Sequence, residues 1–163
     1  MVVADRHLAQ CNVARLRDPL DQRVWREFLA GLDRVNRRAE RSRGFVWRLE
    51  VPEGHVIADG AFVNLSLWES YEALHAFVYY DDHGHYARRR SRWFEPVAGP
   101  TTVLWWVPEG HRPSLEEAKA RLEHVRRHGP SPWAFSLRRQ FDADGRVTPR
   151  RTSPDRTSRG AES

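Results

Sequence analysis

The pentapeptide VPEGH stands twice in this chain, at residues 51–55 and 107–111, an offset of 56 residues (107 minus 51). A repeat on that scale constrains the fold more than any other feature, because self-similarity at a fixed spacing means two copies of one structural unit. Sliding the chain by the same offset lays HLAQCNV at 7–13 over VNLSLWE at 63–69, two strand-like runs. The segments ahead of each pentapeptide, FVWRLE at 45–50 and TTVLWW at 101–106, also read as strands. Between the paired strands the apolar residues change period. From Leu20 they fall at Val24, Trp25, Phe28, Leu29, Leu32, Val35 and Ala39, one stripe of a helix with charge on its opposite side. Gly44 then stops the helix. In the second half Ser70 is placed as N-cap for YEALHAFVYY, and the helical stretch runs on through residue 95 with a break near Gly84.

The order β-α-β-β-α-β is the split βαβ or ferredoxin-like plan, an α+β fold. Each VPEGH marks the exit from the last strand of its half. Ser114 with Glu117 forms a capping box for an added helix, LEEAKARLEHVRRH, with Gly129 just past its end. WAFSLRRQF follows as a short strand or extended arm. From Asp142 apolar residues almost vanish, so residues 1–141 are expected to be one domain and 142–163 a disordered tail. Removing residues 145–163 is then expected to leave the melting midpoint unchanged.

Composition narrows the function classes. Seven Trp and seven Phe supply a large aromatic area. No run approaches 18 apolar residues and no signal peptide is visible, so a cytoplasmic protein without membrane contact is expected. One cysteine, Cys11, excludes an internal disulfide or multi-cysteine zinc site. The net charge of +5 comes almost wholly from arginine interspersed with acidic residues, a solvated surface and not a nucleic-acid stripe. No GxGxxG, P-loop, GxSxG or HExxH is present, leaving dinucleotide, NTP, hydrolase-elbow and zincin readings without support.

Alternation assigns the strand faces. Leu8, Gln10, Asn12 and Ala14 share one side of the first strand; Phe62, Asn64, Ser66 and Trp68 share one side of the third. The opposite sides, with Ala9, Cys11, Val13, Leu65 and Leu67, are small or aliphatic and are expected under the helices. The mixed sides are then expected to meet a second copy in a homodimer. There the amides either line a semi-polar cavity or hydrogen-bond across a dry interface.

Three stretches carry a resemblance: HLAQCNVARLRDPLD, WESYEALHAFVYYDDHGHYARRRSRWFEP and LWWVPEGHRPSLEEAKARLEHVRRHGPSPWAFSLR. Over residues 6 to 141 the chain resembles the uncharacterised DUF3291 family. The resemblance implies the dimeric α/β-barrel superfamily, which includes antibiotic-biosynthesis and heme-degrading monooxygenases. It also implies a site-facing histidine on the helix after Trp68-Glu69-Ser70, here His83. On that reading the protein is an oxidoreductase-like enzyme of biosynthesis, a cofactor-independent monooxygenase or isomerase acting on an aromatic or polyketide-like metabolite. His83 is the base, since an imidazole titrates near neutrality. Asn12 and Asn64 are neutral donors to an enolate or peroxide oxygen. Gln10, Trp47, Phe62, Ser66, Trp68, Phe77 and Trp106 hold the substrate.

Two alternatives stay open. In one, heme binds with His83 or His85 as axial ligand. The strand openings of heme-degrading relatives are echoed by Asn12, while their helical Trp appears as Phe77. In the other, the dimer binds a ligand without catalysis. Two-histidine pairs, His83 with His85 and His124 with His128, lack a third ligand, so no metal site is expected.

Overall fold

In the computed structural model, residues 5–17, 21–50, 56–57, 61–79 and 92–149 are described. The elements are β1 (Arg6–Leu16), α1 (Gln22–Arg41), β2 (Phe45–Arg48), β3 (Val56–Ile57), β4 (Ala61–Trp68), α2 (Tyr71–Tyr79), β5 (Phe94–Glu95), β6 (Thr102–Pro108) and α3 (Leu115–His128). The sheet is antiparallel, with β1 and β4 side by side at its centre, β2 beyond β4 and β6 beyond β1. This is the ferredoxin-like βαββαβ arrangement with an added C-terminal helix. The two strands related by the 56-residue offset are the central pair, so the repeat becomes the middle of the sheet.

The caps at Ser70 and Ser114 are where the sequence places them, and the structure adds one at Asp21. Asp21 accepts from Arg23 N–H, Ser70 Oγ from Ala73 N–H at 3.1 Å, and Ser114 Oγ from Glu117 N–H at 3.1 Å. The reciprocal half of the capping box is not made. Glu117 turns its carboxylate to the Trp105 indole N–H at 3.3 Å and to His111 Nε2 at 2.8 Å. Gly44 has φ 84°, and a Cβ there would lie 2.4 Å from that of Ala73. Only glycine lets the α1–β2 turn sit this close to α2.

Four expectations change. First, the faces are exchanged. The mixed face, with Leu8, Ala14, Phe62 and Trp68, is the one under α1 and α2, packed on Phe28, Leu32, Ala39 and Leu74. The small aliphatic face, with Ala9, Cys11, Leu65 and Leu67, packs under α3 through Ala118, Leu122 and Val125. The mixed sides therefore cannot be the dimer contact. Alternation separates two faces without saying which helix covers which. Here Phe62 and Trp68 offer the greater aromatic area to α1 and α2, while Ala9 and Cys11 leave room for Trp105. Second, the buried stripe of α1 is Phe28, Leu32, Asn36 and Ala39, so Asn36 points inward where Val35 was expected. Third, Phe94–Glu95, read as helix, pairs as a short strand with the end of β1. The pairing buries Trp93 and Phe94 against Phe28, which outweighs helical continuation.

Fourth, residues 142–149 are not the start of a disordered tail. Phe135 pairs with Leu104 along the outer edge of β6, and a hairpin closes at Phe141 and Val147. Asp142 holds the turn by accepting from Asp144 and Arg146 N–H, and Thr148 N–H donates to Gln140. Low hydrophobicity misled here, because this turn is held by backbone bonds and an aspartate and not by apolar area. Truncation after Asp144 is therefore expected to lower the melting midpoint by more than about 3 °C. It removes three backbone hydrogen bonds, Asp142 to Arg146, Gly145 to Asp142 and Thr148 to Gln140, of about 0.5–1.5 kcal/mol each, at about 2–4 °C per kcal/mol. Differential scanning calorimetry checks this, and an unchanged midpoint would show that the hairpin contributes nothing. Residues 150–163 lie outside the described residues.

Candidate functional site

On the face of the sheet under α1 and α2 a run of polar side chains crosses the strands. Gln10 stands opposite Ser66, Asn12 opposite Asn64, and Thr102 beside Asn12 on β6. Two separate hydrogen-bonded groups form within this run. The Trp68 indole, a donor only, gives its N–H to Ser66 Oγ at 3.0 Å, and Ser66 donates to Gln10 Oε1 at 3.0 Å. Thr102 donates to Asn12 Oδ1 at 3.2 Å. Asn36 comes down from α1 over this row, 8% exposed, and with Asn64 lines a cavity of about 10 Å³, room for one water molecule. Neither amide has a side-chain partner among the described residues.

A space large enough for a ligand lies at one end of this face. A cleft of about 760 Å³ opens between α2 and the C-terminal arm. Its floor is the Leu8 and Trp106 rung of the sheet; α2 supplies Tyr71 and His75, and the arm supplies Phe135 and Phe141. Trp106 is held by its indole N–H, which donates to the Phe141 carbonyl at 2.8 Å. Tyr71, His75 and Tyr79 follow one another at i, i+4 and i+8 along α2, with ring centroids 5.6 Å and 4.3 Å apart. Leu74 is buried, with Phe77 and Val78 packed on the core beside it. The helix thus turns its apolar side to the sheet and Tyr71 and His75 to the cleft.

Gln10, Asn12, Phe62, Asn64, Ser66 and Trp68 share one face of the sheet, as strand alternation expects, and Trp106 joins them from β6. Of these only Trp106 lines the cleft. Asn12 and Asn64 are four residues along the strands from the Leu8 rung, about 14 Å away at about 3.4 Å per residue. Phe62 is enclosed by Phe28 and Phe94. Phe77 stacks on Trp68 at 5.0 Å and is covered by the Arg38 guanidinium, which also donates to the Phe77 carbonyl. Trp47 lies on the other face of the sheet, beneath Arg112, because the register of β2 shifts between Phe45 and Trp47. It is not part of this site. His83 and His85 lie outside the described residues. His75 was missed by sequence reading, although the Tyr71, His75, Tyr79 spacing on a helix already marks it.

Cys11 is no nucleophile: burial pushes its thiol up to about 12. The rings of His124 and His128 are 5.1 Å apart, but His124 Nε2 is taken by Ser131 Oγ at 3.0 Å. No group of three or more metal-ligating side chains occurs among the described residues. Nor is any helix among them long and apolar enough to cross a membrane.

Fold and site together define a ferredoxin-like α+β domain whose C-terminal extension walls an aromatic cleft on the helix-covered face of the sheet. The chain belongs to the DUF3291 family, a domain of unknown function, which it matches over residues 7–151. Curated proteins provide no match. Among solved structures, a variant of SnoaB, a cofactor-independent oxygenase from Streptomyces nogalater, is similar at 17% identity and a TM-score of 0.43. The likeness covers 69% of this chain and 98% of that one. A protein of unknown function from Nitrosomonas europaea is similar at 11% identity and a TM-score of 0.43, over 69% and 97% of the two chains. A hypothetical Arabidopsis thaliana protein is similar at 15% identity and a TM-score of 0.42, over 70% and 97%.

Proposed function

We propose that this protein is a small-molecule enzyme of the cofactor-independent monooxygenase or isomerase type, with an aromatic or polyketide-like substrate in the cleft between α2 and the C-terminal arm. The observation that carries the reading is an aromatic-walled space of about 760 Å³ with an imidazole on its wall. That volume suits a multi-ring metabolite. His75 takes a proton from an acidic hydroxyl or activated carbon of the substrate. The resulting anion reacts with dioxygen in the oxygenase case, or is reprotonated at another carbon in the isomerase case. His83, carried over from the family resemblance, stands in the same proposal as the imidazole to compare with His75. The test is oxygen uptake or substrate isomerisation with a panel of hydroxylated polycyclic aromatics in chelator-treated protein. A Soret band in freshly purified protein counts against the cofactor-free reading and for heme on His83 or His85.

The proposal includes a homodimer. With the mixed face occupied by α1 and α2, the surface left for a second copy is the part of the aliphatic face beyond α3. Val13, Val46, Trp47, Leu49 and Val63 are only partly buried there. Sedimentation equilibrium at micromolar concentration is expected to give twice the chain mass, and a monomer removes this part of the reading.

A further inference from the structure

We propose that the cleft selects an aromatic ligand bearing an anionic group, a carboxylate or phenolate, with its rings on Trp106 and the α2 aromatics and its charge on Arg138. This rests on the reading of the cleft as the substrate site and adds the charge class of the substrate. Three side chains bring formal charge to the cleft: Glu72, Asp142 and Arg138. The Asp142 carboxylate is spoken for, because its Oδ1 accepts from the N–H of Asp144 at 3.0 Å and of Arg146 at 2.9 Å. Glu72 already has an interaction of its own. The Arg138 guanidinium makes no hydrogen bond or ion pair among the described residues. Among the charged side chains of the lining, Arg138 is therefore the one whose hydrogen-bonding capacity is left for a ligand.

The backbone that carries Arg138 is built. Ser136 and Arg139 close a tight turn around it, with Ser136 N–H donating to the Arg139 carbonyl at 3.3 Å and Arg139 N–H to Ser136 Oγ at 3.1 Å. Gln140 Nε2 adds a bond to the Leu137 carbonyl at 2.9 Å. A guanidinium presents a planar fork that matches a carboxylate and also lies flat against rings. A bare inorganic anion would leave the partly exposed Trp106 and Tyr71 rings wet, so the ring system and the charge belong to one molecule.

The experiment is isothermal titration of the full chain at low ionic strength with 1-hydroxy-2-naphthoate and with neutral 2-naphthalenemethanol. The naphthoate is expected to bind about tenfold more tightly or better, the range of a hydrogen bond to a charged group. Arg138→Gln is expected to bring the two affinities together, and Arg138→Lys to keep part of the preference. Ala143→Trp, which fills the cleft, is expected to abolish both. Equal affinities in the native chain overturn the charge class while leaving the cleft reading intact. A preference that survives in Arg138→Gln overturns the assignment to that residue. No binding of either compound, or binding unchanged in Ala143→Trp, removes the cleft reading along with the proposal.

Discussion

Replacing Trp68 with alanine is expected to lower the melting midpoint by about 6–20 °C. The indole is 1% exposed at the end of β4. It stacks on Phe77 at 5.0 Å and meets Phe45 edge-on at 5.5 Å, so it ties α2 and β2 to the sheet. Truncating a buried Trp costs about 3–5 kcal/mol, lost transfer energy plus the cavity left behind. For a chain of this size each kcal/mol is about 2–4 °C. The N–H bond to Ser66 adds a second consequence, since without it the Ser66 hydroxyl is free to turn away from Gln10. Trp68→Phe separates the two effects. It keeps most of the ring contacts and loses the donor, and is expected to fall well short of the alanine loss. Thermal or urea unfolding reads both. An alanine variant melting within about 3 °C of the native protein would falsify the view that Trp68 anchors this end of the core.

Once a turned-over substrate is in hand, His75→Ala is expected to lower kcat/KM by about 10²- to 10⁴-fold, the range for loss of a general base. Stability should hardly change, because the side chain lies on the cleft side of α2, away from Leu74 and the core. Circular dichroism and the midpoint confirm that. His124→Ala serves as the control, since that imidazole bonds Ser131 and does not line the cleft. His83→Ala is the informative companion. A loss confined to His83→Ala moves the base to that residue, and retained turnover in both variants removes the imidazole mechanism altogether.

The residues that give away the fold do so through local rules. The apolar period of α1 and the caps at Ser70, Ser114 and Gly129 act within a few turns, and VPEGH at an offset of 56 is found by sliding the chain along itself. Each can be read without knowing what packs where, and together they yield the βαββαβ order. The α+β class, the added helix and the grouping of Gln10, Asn12, Asn64, Ser66 and Trp68 on one side of the sheet follow from them, because alternation is a property of an extended chain. The family is legible too, since its motifs are runs of adjacent residues.

Which side of the sheet the helices cover is a different kind of fact. It depends on the sum of contacts between elements far apart in sequence, and the aromatic bulk of Phe62 and Trp68 against Phe28 and Leu74 outweighs the tidier aliphatic pattern of Ala9 and Cys11. The inward turn of Asn36 follows from the same packing, one residue away from where a hydrophobic stripe predicts Val35. The cleft has the same origin. Trp106 on β6, His75 on α2 and Phe141 on the arm are separated by tens of residues, and none signals the others. They meet because Phe135 pairs with Leu104 and the Asp142 turn folds the arm back over the sheet. Local chemistry set the elements and their order, whereas long-range burial chose their faces and so placed the ligand space.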